Sequence, residues 1–286
     1  MAAAEKGTPP TAAEVRRLHA VRRMIFLLLA VAVVAAVIVP FKLPGKPSSL
    51  ARTVFEDLES LPQGSSVLLS FDFDPTAKGE LEPMGIALLR HCFARNLHPV
   101  VMTFWQSGVA LHKTMVERTA AEYGKVSGRD FVFLGFKPGD VNLILNMGES
   151  ITGAFDKDYY GRPTQGMPAL AGLNSLRTLS YAVCLAAGMT TEVWIAYGGD
   201  RFGFPLAAGC TAVIAPDLFP YLQSGQLRGL LGGLRGAADY ELLVGTPGEA
   251  TRGMRPQSVA HLFILGLIAL ANAEVFAAFL KKRRRF

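Results

Sequence analysis

Hydrophobic and polar positions fall into three regimes along the chain. From Met24 to Phe41 the residues MIFLLLAVAVVAAVIVPF run for eighteen positions without a charge, close to what a helix needs to cross a hydrocarbon core of roughly 30 Å. From Ser258 to Leu280 a second apolar stretch, SVAHLFILGLIALANAEVFAAFL, runs for twenty-three positions, with His261, Asn272 and Glu274 as its strongly polar members. Between the two, short apolar runs alternate with longer segments whose apolar residues recur at helical spacing. The pattern predicts a membrane helix near each end and an α/β domain between them.

The middle region reads as a largely parallel sheet covered on both faces, because its strand candidates are continuous apolar runs rather than alternating ones. The five candidates are SSVLLSF, PVVMTFW, DFVFLGF, EVWIAYG and TAVIAP. LEPMGIALLRHCFARNL and GVALHKTMVERTAAEYG fit helices between the first three; Pro168 to Gly188 and Asp217 to Leu243 read as two more. Val141 to Gly166 is ambiguous, since VNLIL suits helix or strand. The expected fold is one three-layer, Rossmann-like or flavodoxin-like α/β domain with a mostly parallel five-stranded sheet, flanked by N- and C-terminal transmembrane helices. Gly, Pro and Ser in KLPGKPSS and GTPGEATRGMRP mark linkers. The expected organisation is a basic segment 1–23, a membrane helix 24–41, a linker 42–52, the domain 53–244, a linker 245–257, a second membrane helix 258–280 and a basic tail 281–286.

Charge fixes the expected orientation. Arg16, Arg17, Arg22 and Arg23 precede the first span, and Lys281, Lys282, Arg283, Arg284 and Arg285 follow the second. Basic residues resist translocation, so both termini are expected in the cytoplasm of a bacterial-type inner membrane, with the domain periplasmic. The first apolar run exceeds the usual core of a signal peptide, which favours an uncleaved anchor. The net charge of +6 divides into +3 over residues 1–23, +4 over residues 258–286 and −1 over the middle. A nearly neutral domain carries no footprint for nucleic acid, and the basic ends suit lipid headgroups. Cys92, Cys184 and Cys210 sit widely spaced in apolar sequence and read as buried small side chains.

Candidate chemistry gathers where the strands end. Ligands of such sheets meet the loops at the carboxyl ends of strands, where this sequence offers Asp72 and Asp74, then Thr103, Gln106 and Ser107, then Lys137, then Asp200 with Arg201. The run LLSFDFDPT resembles the opening DxDxT motif of the haloacid dehalogenase superfamily, whose first Asp is a nucleophile and whose second is a general acid or base in magnesium-assisted phosphoryl transfer. The resemblance implies Asp72 as nucleophile, Asp74 as acid or base, Thr103 as the hydroxyl after the second strand and Lys137 as the neutralising lysine. Asp72, Asp74 and Asp200 would then hold the metal. No acidic residue follows Asp200 within a few positions, and Lys137 precedes it by 63 residues. No cofactor is expected otherwise; magnesium belongs to the phosphatase alternative.

Other residues point to interaction. The loop FDKDYYGRPTQGMP contains Tyr159, Tyr160 and Arg162, residue types enriched at binding hot spots. YGGDRFG suits a tight turn. Gly225, Gly229, Gly232 and Gly236 would form a strip without side chains if SGQLRGLLGGLRGAADYE is one helix, and glycines costing a helix roughly 1 kcal/mol each call for a compensating close contact. His261, Asn272 and Glu274 within an apolar helix call for polar partners. The leading expectation is a non-catalytic subunit of a larger membrane assembly, partnered with other membrane subunits or with itself. A membrane-bound phosphatase and a small-solute binding or sensor component are the alternatives.

Overall fold

The computed structural model describes residues 11–39, 41 and 46–283. Contacts divide the chain into two units, Pro44–Arg252 and the terminal segments Met1–Leu43 with Gly253–Phe286. In the first unit, strands β1 (Ser66–Asp72), β2 (His98–Thr103), β3 (Val132–Phe136), β4 (Tyr181–Ala186), β5 (Leu206–Cys210) and β6 (Leu230–Gly232) form one parallel sheet in the order β3-β2-β1-β4-β5-β6. Every residue of β1 and β4 is buried, so helices cover both faces. Leu68, Val100, Met102 and Cys184 share one core with Leu143, Met147, Trp194 and Phe202.

The α/β class and the parallel sheet follow the sequence expectation, but the described residues form a sheet of six strands rather than five. SSVLLSF, PVVMTFW and DFVFLGF supply β1, β2 and β3. EVWIAYG is instead helical, within α7 (Thr190–Trp194) and a π-helical turn (Ile195–Gly199), and α8 (Asp200–Phe202) follows it. Its buried members Trp194, Ile195 and Gly198 recur at helical spacing despite a strand-like composition. TAVIAP forms a turn and a 3-10 helix over Ala215–Leu218. β4 comes from the segment expected as the helix Pro168 to Gly188. β6 and α10 (Gly233–Val244) divide the one expected over Asp217 to Leu243, and α9 (Phe219–Gln223) precedes them. VNLIL resolves into α5 (Asp140–Glu149), followed by α6 (Ile151–Ala154).

The glycine strip is therefore not one helix face. Gly225 occupies a turn with φ of 80°, Gly229 precedes β6, Gly232 ends it and Gly236 lies in α10. Close contact does occur at Gly229, where a Cβ would stand 2.7 Å from the Leu50 carbonyl and 2.6 Å from the Val54 side chain of α2 (Ser49–Glu59). At Gly236 a Cβ would meet the Leu231 backbone at 2.6 Å. Both contacts are intramolecular and serve packing within the domain.

On the same side, α3 (Lys78–Ala94) packs against α10 and α4 (Val109–Glu122). His91 of α3 hydrogen-bonds Glu59 through Nε2 at 2.9 Å and Tyr240 through Nδ1 at 2.8 Å, and it stacks on Phe55. One buried ring thus ties α2, α3 and α10 together. The stretch expected as a linker before the second membrane helix is helical from Glu249, where α11 (Glu249–Arg283) begins. The buried Glu241 carboxylate accepts from the amides of Gly248, Ala250 and Thr251 and from the Thr251 hydroxyl, at 2.6 to 3.0 Å. A helix start leaves its first amides without partners, and this one side chain of α10 supplies them.

The second unit contains α1 (Ala12–Ile38) and the rest of α11. Val15–Ile38 and Glu249–Ala273 are long and apolar enough to cross a membrane. Leu27, Val31, Leu262 and Leu265 are exposed along them, an arrangement unfavourable in water by about 25 cal/mol per Å² of apolar surface. α1 starts at Ala12, so the basic residues Arg16 to Arg23 are part of the same helix as the apolar run. The Asn272 amide donates to the Ile268 carbonyl one turn back at 2.8 Å, which supplies one partner within its own helix. His261 is exposed, and the Glu274 side chain lies outside the described residues.

Candidate binding site at the carboxyl edge of the sheet

The strand order reverses between β1 and β4, and the crevice outside such a reversal is where open α/β sheets bind ligands. Here the turn after β1 reads Asp72-Phe73-Asp74-Pro75-Thr76, without the glycines that let a backbone approach a pyrophosphate. Asp72 closes β1 but points into the core. Its Oδ1 accepts from the Phe104 amide at 2.8 Å, and its Oδ2 accepts from the Ser70 hydroxyl at 2.6 Å and the Cys184 thiol at 3.5 Å. Fully buried, it has its pKa raised to about 6, mainly by desolvation and against the lowering effect of these hydrogen bonds. The Cys184 thiol is pushed far up by burial and by the adjacent carboxylate.

The other members of the dehalogenase-like set are placed apart from one another. Asp74 is solvent-facing and caps the 3-10 turn Pro75–Ala77, accepting from the Thr76 hydroxyl at 2.5 Å and from the Thr76 amide at 2.9 Å; these bonds hold its carboxyl below the usual range. Thr103 is buried, and its hydroxyl accepts from the Trp105 amide at 2.9 Å. Lys137 donates to the Ala154 carbonyl and lies 5.4 Å from the Phe155 ring centroid. Asp200 sits at the opposite edge, in a cavity lined by Tyr181 and Leu206, the first residues of β4 and β5. There it accepts from Gln226 at 2.7 Å. A strand length, on the order of 17 Å, separates it from the Asp72 end of the sheet. Among the described residues no group of three or more His, Cys, Asp or Glu side chains could hold a metal.

What the fold does assemble is a cavity of about 660 Å³ beyond β2 and β3. Gln106 and Ser107 line it from the lead into α4, Leu134, Phe136 and Lys137 from β3 and its loop, and Asp156 to Tyr159 from the loop 155–168. The sequence pointed to the β2 and β3 ends and to the loop as separate features, and the structure joins them. Lys157 was missed; its only signal was its place between two acidic residues in FDKDYY.

The loop is held from within. Asp158 Oδ1 accepts from the amides of Tyr160 and Arg162 at 2.9 Å each, and Oδ2 accepts from Arg162 Nε at 2.8 Å and from its Nη2. Arg162 also donates to the Ser127 carbonyl and hydroxyl. Arg162, expected as an interaction residue, is thus committed to folding the loop. The Tyr159 ring approaches Gly135, whose φ of 77° and missing side chain leave space where a Cβ would stand 3.0 Å from the ring. The Tyr160 hydroxyl donates to Glu117 at 2.7 Å, and its ring lies 5.1 Å from the Arg162 guanidinium. Both tyrosines remain exposed, at 42% and 38%.

No family model, no curated protein and no solved structure matches the chain.

Proposed function

We propose that this chain is a non-catalytic subunit of a membrane assembly, anchored by α1 and α11, whose α/β domain binds a partner subunit through the carboxyl edge and the loop 155–168. The observation that carries the reading is the loop itself: an internal carboxylate clamp fixes its backbone while Tyr159 and Tyr160 stay exposed beside an open cavity. A preordered aromatic surface loses little conformational entropy on binding, which is why such residues concentrate binding energy. Both termini are assigned to the cytoplasm on the distribution of basic residues.

The small-solute alternative is favoured by one observation, the cavity with Lys137 and Lys157 at its wall, and it uses the same edge of the sheet. The phosphatase alternative has less support. Asp72 has no open face, Thr103 and Lys137 are bonded to nearby backbone, and Asp200 belongs to the other edge. The purified chain with magnesium should therefore give no phosphatase turnover that Asp72→Asn abolishes. Metal-dependent hydrolysis that disappears in this variant while the fold persists would make the enzyme reading the correct one. For the assembly reading, a photo-crosslinker at position 159 in intact membranes should give one discrete adduct, and the same crosslinker at exposed Val126 should give none.

A further inference from the structure

A third cavity, of about 320 Å³, lies where α3, α4 and the start of α11 meet, and it is lined by Arg90, Arg118 and Arg252 together with Glu122, Glu241 and Glu249. The charges around it are unequally paired. Arg90 is engaged by Glu122 through two hydrogen bonds, at 2.8 and 3.1 Å. Glu241 is occupied by the amides and hydroxyl at the first turn of α11. Glu82 lies 3.4 Å from Lys78 and 4.0 Å from Arg118, too far from Arg118 for a hydrogen bond. Glu249 is exposed on the first turn of α11. Arg252 donates Nε to the Gly248 carbonyl of its own turn at 3.2 Å. Two guanidiniums from separate helices, Arg118 and Arg252, therefore line one polar cavity, and among the described residues neither hydrogen-bonds a carboxylate, Arg118 having only the 4.0 Å approach to Glu82.

We propose that this cavity binds a phosphate group, and that its source is the headgroup of an anionic membrane lipid. Planar guanidinium forks match phosphate oxygens in pairs, and two converging forks fix one phosphate better than a diffuse surface charge does. Chain connectivity places the site near the membrane. Arg252 precedes the apolar run beginning at Ser258 by six residues, a chain length of at most about 21 Å even when fully extended. Headgroup layers extend several Å beyond the hydrocarbon core on each side, and arginines close in sequence to a membrane helix attract anionic headgroups. The inference rests on the reading that α11 crosses the membrane.

The test is native mass spectrometry of the full-length chain from mild detergent, titrated separately with phosphatidylglycerol, phosphatidylcholine and inorganic phosphate. Phosphatidylglycerol should be retained about tenfold more strongly than phosphatidylcholine, and Arg118→Gln with Arg252→Gln should remove most of that preference. Arg129→Gln, at an exposed arginine paired with Asp130, should leave it intact and so separates the cavity from general basic charge. If the double variant melts early, Arg118→Gln alone, on the exposed side of α4, gives the same comparison. Equal lipid retention by wild type and variant overturns the site. Displacement of the lipid by inorganic phosphate at matching concentration overturns the headgroup assignment in favour of the free anion. Release of the chain from membranes by alkaline carbonate overturns the membrane reading itself, and is scored before any lipid is added.

Discussion

Asp72 is the residue at which sequence and structure diverge most in meaning. Its position after a run of buried β1 residues and before Asp74 was visible, but its direction was not, because alternate residues of a strand point to opposite faces and a doubly covered strand hides which face is which. In the fold its carboxyl is enclosed by Phe104, Ser70 and Cys184, and its pKa rises to about 6 from 3.8. A carboxyl with a raised folded pKa favours the folded state while protonated. That contribution is full below about pH 4 and is lost as pH rises through 6. Asp72→Asn keeps an acceptor for Phe104 and cannot ionise, so the variant should gain on wild type by about 2 to 3 kcal/mol between pH 4 and pH 7. Chemical denaturation at both pH values measures it. Burial lowers the pKa of His91, His98 and His112 in both proteins, so their contributions cancel in the difference. A stability difference that does not change with pH would mean that Asp72 is not buried as described.

At the scale of elements, β1 to β3 were legible because each is a run of β-branched, Leu and aromatic residues ended by polar ones. β4 was not. YAVCLA is six apolar residues of mixed propensity, and a fully buried central strand has no alternation to distinguish it from a helix. β5, LAAGC, carries small residues for a packing reason: a Cβ on Gly209 would lie 2.4 Å from Leu185 and 2.5 Å from Met84. Composition of that kind argues against a strand until the neighbours are known. The glycine spacing around Gly229 did signal a close approach, although the helix invoked for it does not exist and the partner is α2 of the same domain. Gly229→Leu should cost about 1 to 3 kcal/mol through overpacking against Leu50 and Val54. The same change at Arg228 removes an exposed pair with Asp57 and should cost less than about 1 kcal/mol. Thermal melting of the two full-length variants decides between them, and equal melting points would contradict the contact.

At the scale of the whole molecule, the apolar ends were legible from length and composition alone, which the two long apolar helices match. The candidate site was legible only in pieces, because the cavity is made by bringing the loop 155–168 against the ends of β2 and β3 through Asp158, Gly135 and Ser127, contacts far apart in sequence. Topology is the first molecular prediction. Single cysteines at positions 5 and 284 should resist an impermeant maleimide in intact cells, whereas one at position 157 should react, given the basic flanks. Labelling of the two termini with protection of position 157 would invert the orientation. Partner binding by the carboxyl edge should show in the native mass of the chain in mild detergent, measured with and without Tyr159→Ala and Tyr160→Ala. The wild-type complex should be heavier than the 30.7 kDa chain, and the double variant should run as that single chain while its melting temperature stays within a few degrees of wild type. A wild-type protein that runs as a single chain, or a double variant of unchanged complex mass, would contradict it.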